Sequence, residues 1–184
     1  GYLPSRDYKG NAGGSGMSKS KLSFSHLDRY KKDFADLFVK LSERHGRHEV
    51  WSGFITMTAC SISNSCDKQF FDEREKLYLS IAKKYTKDEL EMFAQMFAIV
   101  VLALENNPEQ DFLGSLFSAL NLHNEWKGQF FTPYHIGRFM AAINLADADK
   151  QLQQKDIITV NDCCCGAGCL LIAFANEARK AGID

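Results

Sequence analysis

Apolar residues in the first third of the chain recur every three or four positions, a spacing that places them on one face of a helix. The first series predicts a helix over residues 27–46: Leu27, Tyr30, Phe34, Leu37, Phe38 and Leu41. A second series predicts another helix, ended by turn-forming residues at 64–67: Trp51, Phe54, Ile55, Thr58 and Ile62. The chain therefore opens with amphipathic helices.

Charge and capping signals predict three further helices. Residues 72–85 carry acids early and lysines late, as the helix dipole favours. Thr86 and Glu89 match a capping box before the apolar run 90–104, which predicts a buried helix. A short helix over 111–120 then presents Phe112, Leu116 and Phe117 to the core.

The pattern changes after Pro133. A helix is expected there with four residues turned inward: Ile136, Phe139, Met140 and Ile143. Residues 157–160 form a β-branched apolar run that predicts a central parallel strand, followed by a glycine loop and a helix over 169–180. Strand, glycine turn and helix open a doubly wound sheet. Since one such unit cannot form a sheet, we expect the natural domain to continue past Asp184 or to pair with another element.

Composition narrows the class of protein. Hydrophobic residues make up 45% of the 184 and charged residues 24%, as in soluble globular proteins. The net charge of −1 shows no basic excess for nucleic acid, so any DNA affinity must come from local clusters or from other parts of the protein. No membrane span or secretion signal is predicted, which favours a cytoplasmic location. Residues 1–16 are interpreted as a flexible tail or an added linker.

Six cysteines are present, three of them adjacent at 163–165 with Cys169 close behind. Adjacent cysteines are poor disulfide staples, so we expect them to be small buried hydrophobes. A zinc site is the less favoured alternative, because paired Cys-x-x-Cys knuckles are missing. His45 and His48 are interpreted as helix-end residues and His123 and His135 as surface residues, with no metal site predicted.

The segment from Asp162 through Gly166 to Gly168 is the first candidate site. It follows the predicted strand and opens a helix, which is the context that a nucleotide or adenosyl ligand requires. Leu171 occupies the position of the third glycine of a dinucleotide fingerprint, and no lysine with Ser or Thr follows, so pyrophosphate and P-loop sites are disfavoured. The competing interpretation is a glycine turn of topological use alone.

The second candidate site is Gly-Gln-Phe-Phe-Thr-Pro-Tyr at residues 128–134. Thr132 can cap a helix and Pro133 suits the first helical turn. Phe130 and Phe131 are either exposed for binding or buried in the core, and composition does not separate the two.

Taken together, Gly-Gln-Phe-Phe-Thr-Pro and, about thirty residues later, Asp-x-x-Cys-Gly-x-Gly resemble the gamma-class adenine-specific DNA methyltransferases. These include modification subunits of type I restriction systems and related phage enzymes. The resemblance implies a mainly α chain: an N-terminal helical domain (17–124), then the first β-α unit of a Rossmann-like S-adenosylmethionine-dependent methyltransferase fold (125–184, incomplete).

By the same resemblance, S-adenosylmethionine is the implied cofactor. The family's motif X role passes to Phe131, Thr132 and Pro133, beside the methionine part of the cofactor. The motif I role passes to the loop that wraps the cofactor: Asp162, Cys165, Gly166 and Gly168. DNA, bound through the complete enzyme, and a specificity subunit or other protein are the implied partners.

Three departures qualify the resemblance. Cys163 and Ala167 replace the proline and serine common in the family, and the acidic residue expected on the ribose would lie beyond Asp184. The Asn/Asp-Pro-Pro-aromatic catalytic motif, which accepts the hydrogens of a flipped adenine amine, is absent. The sequence therefore predicts a truncated methyltransferase portion, inactive alone; alternatives are a shortened non-catalytic interaction or regulatory module and an unrelated helical domain.

Overall fold

The computed structural model describes residues 27–122, 132–146, 148–155 and 157–183. Within those ranges the chain is mainly helical, and its helices have the following bounds: α1 Arg29–Ser42, α2 Arg47–Cys66, α3 Phe71–Ala82, α4 Lys87–Asn106, α5 Phe112–Ala119, α6 Tyr134–Leu145, α7 Ala148–Lys155 and α8 Cys169–Lys180. None of these helices combines the length and hydropathy that crossing a lipid bilayer requires. The predicted tail at 1–16 lies outside the described residues.

One hydrophobic core unites the first five helices. The predicted inner face of α1 is confirmed, since Phe34, Phe38 and Leu41 are fully buried. Their neighbours come from α2, α4 and α5, with Phe34 meeting the edge of Phe54 at a centroid distance of 5.1 Å. Edge-to-face rings add about 0.5–1.5 kcal/mol to the burial of their area. This aromatic cluster packs α1, α2 and α5 against one another.

The starts of α1, α4 and α5 follow the capping rules. Asp28 and Asp111 each accept a hydrogen bond from a backbone amide in the first turn of α1 and α5. The capping box before α4 is confirmed, with the Thr86 amide donating to Glu89 Oε2 at 2.8 Å and the Glu89 amide donating to Thr86 Oγ1 at 3.3 Å. α4 buries one face only, and Val101, Leu102 and Leu104 are exposed, so the prediction of a buried helix holds for half of its surface.

The predicted inward face of α6 is wrong. Its four apolar residues are the exposed ones: Ile136, Phe139, Met140 and Ile143, from 42% to 65% accessible. The helix buries Gly137 and Ala141 instead. Because α6 packs closely on α8, only small residues fit between the two backbones, and a Cβ at position 137 would lie 3.0 Å from the Ala173 Cβ.

The strand predicted at 157–160 is not seen within the described ranges. These four residues lie outside the helices and have no strand partner there. A strand is defined by ladder hydrogen bonds to a neighbour, and an isolated apolar segment has none to make. The described residues therefore show a glycine loop followed by the helix α8, and they do not show the predicted Rossmann-like β-α unit.

Candidate functional site

A tight turn at Asp162 begins the candidate site. Asp162 Oδ1 accepts a hydrogen bond from the Cys164 amide at 3.0 Å, a side-chain-to-backbone contact that folds the chain back two residues later. The other carboxylate oxygen, Oδ2, is buried and has no hydrogen-bond partner in the described structure. Since a buried, unpaired carboxylate oxygen is costly, this atom is the point where a donor from a ligand would be most stabilising.

The glycines of the loop have the backbone conformation that only glycine adopts at little cost. Gly166 has a φ of 51° and Gly168 a φ of 83°, both in the left-handed region. The Gly168 amide donates to the Cys165 carbonyl at 2.7 Å, which closes the loop just before α8. Gly168 is also the N-cap of α8 and supplies no side-chain cap. The first-turn amides of α8 are thus free of a side-chain cap and can donate to an anionic or carbonyl group.

An open cavity of about 200 Å³ lies between this turn and the packed pair α6 and α8. Asn161, Asp162 and Cys163 form one wall, and the helices form the other with Gly137, Met140, Ala141, Asn144, Leu170, Leu171 and Phe174. A neighbouring depression of about 230 Å³ shares Asn144, Asn161 and Phe174 with it. The resulting groove has an apolar wall and one convergent carboxylate, the usual makeup of a small-molecule site.

The motif X residues lie beside the start of α8 but line a different cavity. The Cys169 thiol donates to the Thr132 carbonyl oxygen at 3.3 Å, so the two predicted cofactor segments adjoin at this point. Thr132 and Pro133 line a cavity of about 210 Å³ together with Asp111, Gly114, Ser115, Ser118 and Tyr134. Phe131 lies outside the described residues. The described parts of the two segments therefore meet without sharing one pocket.

Asn176, a buried residue of α8, hydrogen-bonds this helix to two other segments. Its side chain is buried, and its amide nitrogen donates to the Pro108 carbonyl at 2.9 Å and to the Tyr134 hydroxyl at 2.7 Å. Lys180 adds ion pairs to Glu109 at 2.5 Å and Glu177 at 3.0 Å. These contacts connect α8 to the α4–α5 loop and to the first residue of α6.

The expectation that the cysteines near the loop are buried is wrong for three of them. Cys163, Cys164 and Cys165 are exposed, whereas Cys169 is buried. The reason is the turn itself: the three thiols belong to a loop over which none of the described helices packs closely enough to bury them. Burial, reinforced by the nearby Asp111 carboxylate, raises the pKa of the Cys169 thiol to about 11, so this thiol stays protonated.

The histidine candidates lie away from the groove. His45 contacts Glu89 of the capping box, with Nε2 and Oε1 3.1 Å apart, and its ring lies 4.6 Å from that of Tyr85. His48 and His135 are exposed, and His123 lies outside the described residues. No three His, Cys, Asp or Glu side chains converge as metal ligands would in the parts of the chain that the structure describes.

Sequence reasoning missed Asn176 and Gly137, the two residues that position α8. Asn176 carried a usable signal, because an asparagine within the apolar run of a helix needs a specific partner when it is buried. Gly137 carried a similar one, since glycine inside a helix costs stability and requires a packing reason.

Comparison with known proteins gives a match to a family model over less than half of the chain. Residues 112–183 match the family model described as N-6 DNA Methylase, a range that includes both candidate segments. The match supports an adenine DNA methyltransferase family, and with it methyl transfer to DNA as the family's chemistry. No curated protein and no solved structure matches the chain. The matched range begins in α5, upstream of the domain boundary predicted at 125.

Proposed function

We propose that this chain is the cofactor-binding portion of a gamma-class, S-adenosylmethionine-dependent, adenine-specific DNA methyltransferase, resembling a type I modification subunit or a phage enzyme. The observation that carries the proposal is the buried, unpaired Oδ2 of Asp162, which lines a cavity inside the range matched by the N-6 DNA Methylase model. A turn of purely topological use has no reason to bury an unpaired carboxylate oxygen. A ligand with N–H or O–H donors satisfies it.

The groups around the groove fit S-adenosylmethionine. Asp162 accepts hydrogen bonds from an ammonium or hydroxyl group of the cofactor, and its charge attracts the sulfonium cation. The uncapped N-terminus of α8 stabilises a carboxylate, and the glycines at 166 and 168 leave room for close approach of the ligand. Phe131, Thr132, Pro133 and Cys165 complete the proposed contact set. When bound, the cofactor supplies the activated methyl group.

The 184 residues are proposed to hold the cofactor without methylating DNA alone. They contain no Asn/Asp-Pro-Pro-aromatic motif, so no group here accepts the hydrogens of the adenine amine or stacks on a flipped base. Their net charge of −1 also offers little attraction for the DNA backbone. DNA contact, and contact with a specificity subunit, are proposed to belong to the complete enzyme in the cytoplasm, with residues 17–124 as its helical domain.

A second function is favoured by one observation. Thr132 and Asp162 line different cavities, whereas cofactor binding by both segments predicts a shared one. This separation favours a non-catalytic relative whose helical part binds protein or DNA and whose cofactor loop is no longer used.

Calorimetric titration with S-adenosylmethionine separates the two functions. We expect the chain to bind the cofactor and Asp162→Asn to weaken binding by about tenfold or more, because a hydrogen bond to a charged group contributes about 1.5–3 kcal/mol. Asp36→Asn is the matched control, since Asp36 is exposed on α1 and should bind as the parent does. No heat of binding together with an unchanged melting temperature would establish the interaction module instead.

A further inference from the structure

The cofactor loop has three exposed thiols, of which only Cys165 is among the cofactor contacts proposed above. Among them Cys163 and Cys164 differ from the rest of the cysteines, since their sulfur atoms lie 3.9 Å apart. Cys165 lies with its sulfur 3.9 Å from the Gly166 carbonyl oxygen. Cys163 and Cys164 are therefore the pair of exposed thiols whose sulfurs adjoin in the described structure.

Cys60, Cys66 and Cys169 are poorly placed to react with the sulfur of Cys163 or Cys164. Cys169 is buried and donates to the Thr132 carbonyl, and the raised pKa of about 11 keeps it protonated and unreactive. Cys60 is buried in α2, and Cys66 is exposed at the other end of the same helix, beside Ser65. A reagent that reaches the loop meets three exposed thiols, and Cys163 and Cys164 are the two whose sulfurs lie 3.9 Å apart.

We propose that Cys163 and Cys164 form a reversible disulfide between adjacent residues when the chain meets a hydroperoxide. One sulfur attacks the peroxide, the O–O bond breaks, and a sulfenic acid and an alcohol, or water, are formed. The second thiol then displaces water from the sulfenic acid, and the S–S bond forms. Both thiols together lose two electrons and two protons, and the peroxide gains them.

The geometry makes this bond easy to reverse. The sulfurs must close from 3.9 Å to about 2.05 Å, which requires rotation of two exposed side chains and of the peptide between them. The ring formed by two adjacent cysteines forces the intervening peptide away from its relaxed geometry. Strained and exposed disulfides are the ones most readily reduced by thiols, so a dithiol reductant should restore the loop.

Oxidation should also change the cofactor groove, an inference that rests on the function proposed above. Cys163 lines the groove, and the Cys164 amide donates the 3.0 Å hydrogen bond that holds Asp162 Oδ1. A disulfide within this turn rotates the peptide that carries that amide. We therefore expect Asp162 to lose its position and cofactor affinity to fall by about tenfold, as for the loss of one charged hydrogen bond.

Mass spectrometry tests the bond itself. After peroxide treatment and alkylation of the unfolded chain, we expect two fewer alkyl groups than in the reduced chain, with Cys163 and Cys164 the protected pair and dithiothreitol reversing the change. Cys163→Ser and Cys164→Ser should abolish the protection, while Cys66→Ser, an exposed cysteine on α2, should retain it. A link through Cys165, a disulfide between two chains, or full alkylation would overturn the proposal.

Calorimetry of the same samples tests the coupling. Oxidised chain should bind S-adenosylmethionine about tenfold more weakly than reduced chain, and dithiothreitol should restore binding. Equal binding by a chain shown to carry the disulfide would overturn the coupling. If reduced chain binds no cofactor while the disulfide still forms, the methyltransferase proposal fails and the oxidation site stands.

Discussion

Single buried polar residues decide how α8 is held. Asn176 is the only asparagine of α8, and both donors of its amide group are used, one on Pro108 and one on Tyr134. Each acceptor belongs to a different part of the chain: the α4–α5 loop and the start of α6. One side chain therefore joins three segments.

Asn176→Ala should lower the free energy of unfolding by about 1–3 kcal/mol, because the buried Asn176 amide and its two hydrogen bonds, to Pro108 and Tyr134, are lost. Urea denaturation followed by circular dichroism measures the change. The control is Asn144→Ala, since Asn144 is exposed and donates to the Met140 carbonyl of its own helix. It should shift stability by no more than about 0.5 kcal/mol. Equal shifts in the two variants would contradict the assigned role.

Gly168→Ala tests the left-handed backbone of the cofactor loop. With a φ of 83° at this position, an L side chain costs about 1–2 kcal/mol, and the chain should unfold at lower urea concentration. Gly46→Ala serves for comparison, because Gly46 has a φ of −67° and open space around the new Cβ. Its effect should stay near 0.5 kcal/mol. A Gly168→Ala chain as stable as the parent would show that the loop relaxes freely.

At the scale of elements, α4 begins with an unusually well-connected cap. Glu89 closes the capping box and also lies 3.5 Å from the Arg44 guanidinium and 3.1 Å from the His45 imidazole. The Thr86 backbone amide, followed by the His45 side chain, holds the pKa of Glu89 below its ordinary value of 4.5. Tyr85, beside the same cluster, has a raised pKa because burial and the charges of Glu49 and Glu89 disfavour its ionisation.

The lowered pKa fixes a pH dependence. A carboxyl group with a depressed folded-state pKa stabilises the fold above its unfolded pKa and loses that contribution as pH falls through the folded value. We therefore expect stability to decline below about pH 4.5 more steeply in the parent than in Glu89→Gln, which keeps the capping hydrogen bond without the charge. Thermal melts between pH 3 and 7 measure the two slopes, and parallel curves would remove Glu89 as the cause.

Helices with their own start signals were predictable, and those positioned by packing were not. The capping box of α4 and the inner face of α1 follow from local sequence, because amide satisfaction and apolar periodicity act within a few residues. For α6, periodicity selected the face with Phe139 and Ile143, yet the contact with α8 requires small residues, and that demand comes from a distant segment. The strand at 157–160 failed for a related reason, since pairing also depends on a remote partner.

In the candidate site, too, features set by local sequence were predictable and features set by distant packing were not. The glycine loop and its position before α8 were predictable, since a positive φ has a clear residue preference. The exposure of the three loop cysteines was not, because burial depends on what packs over the loop. The contact between Thr132 and Cys169 joins segments 37 residues apart, which no local pattern encodes.

Considered as a whole, the molecule has a well-packed core among its first five helices and exposes large apolar side chains on α6 and in the segment 157–160. Phe139 and Ile157 are each 65% exposed and Ile143 is 59% exposed. Exposed apolar residues in such number are uncommon on monomeric proteins and attract other apolar surfaces. This surface contrasts with the aromatic core of α1 and α2, where every large ring has a partner.

Phe139→Ser should reduce the fluorescence of a hydrophobic dye bound to the folded chain, with little change in unfolding free energy because the ring is mostly in water. Phe70→Ser is a suitable comparison, as Phe70 is 48% exposed at the start of α3 and remote in sequence from α6. It should leave most of the dye signal in place. If Phe70→Ser lowered the dye fluorescence more than Phe139→Ser, the main dye-binding apolar surface would not include Phe139.

The bond from Asn176 to Pro108 has a thermodynamic consequence. Through this hydrogen bond, the loop between α4 and α5 contacts α8, the helix whose N-cap is Gly168. Suppose that a partner protein binds residues 107–111 more tightly when the groove holds its ligand. Because linked binding equilibria are reciprocal, the partner then raises the affinity of the groove for that ligand by the same factor. If the groove binds S-adenosylmethionine as proposed, an assembly partner acting there would change the affinity for this cofactor without contacting it.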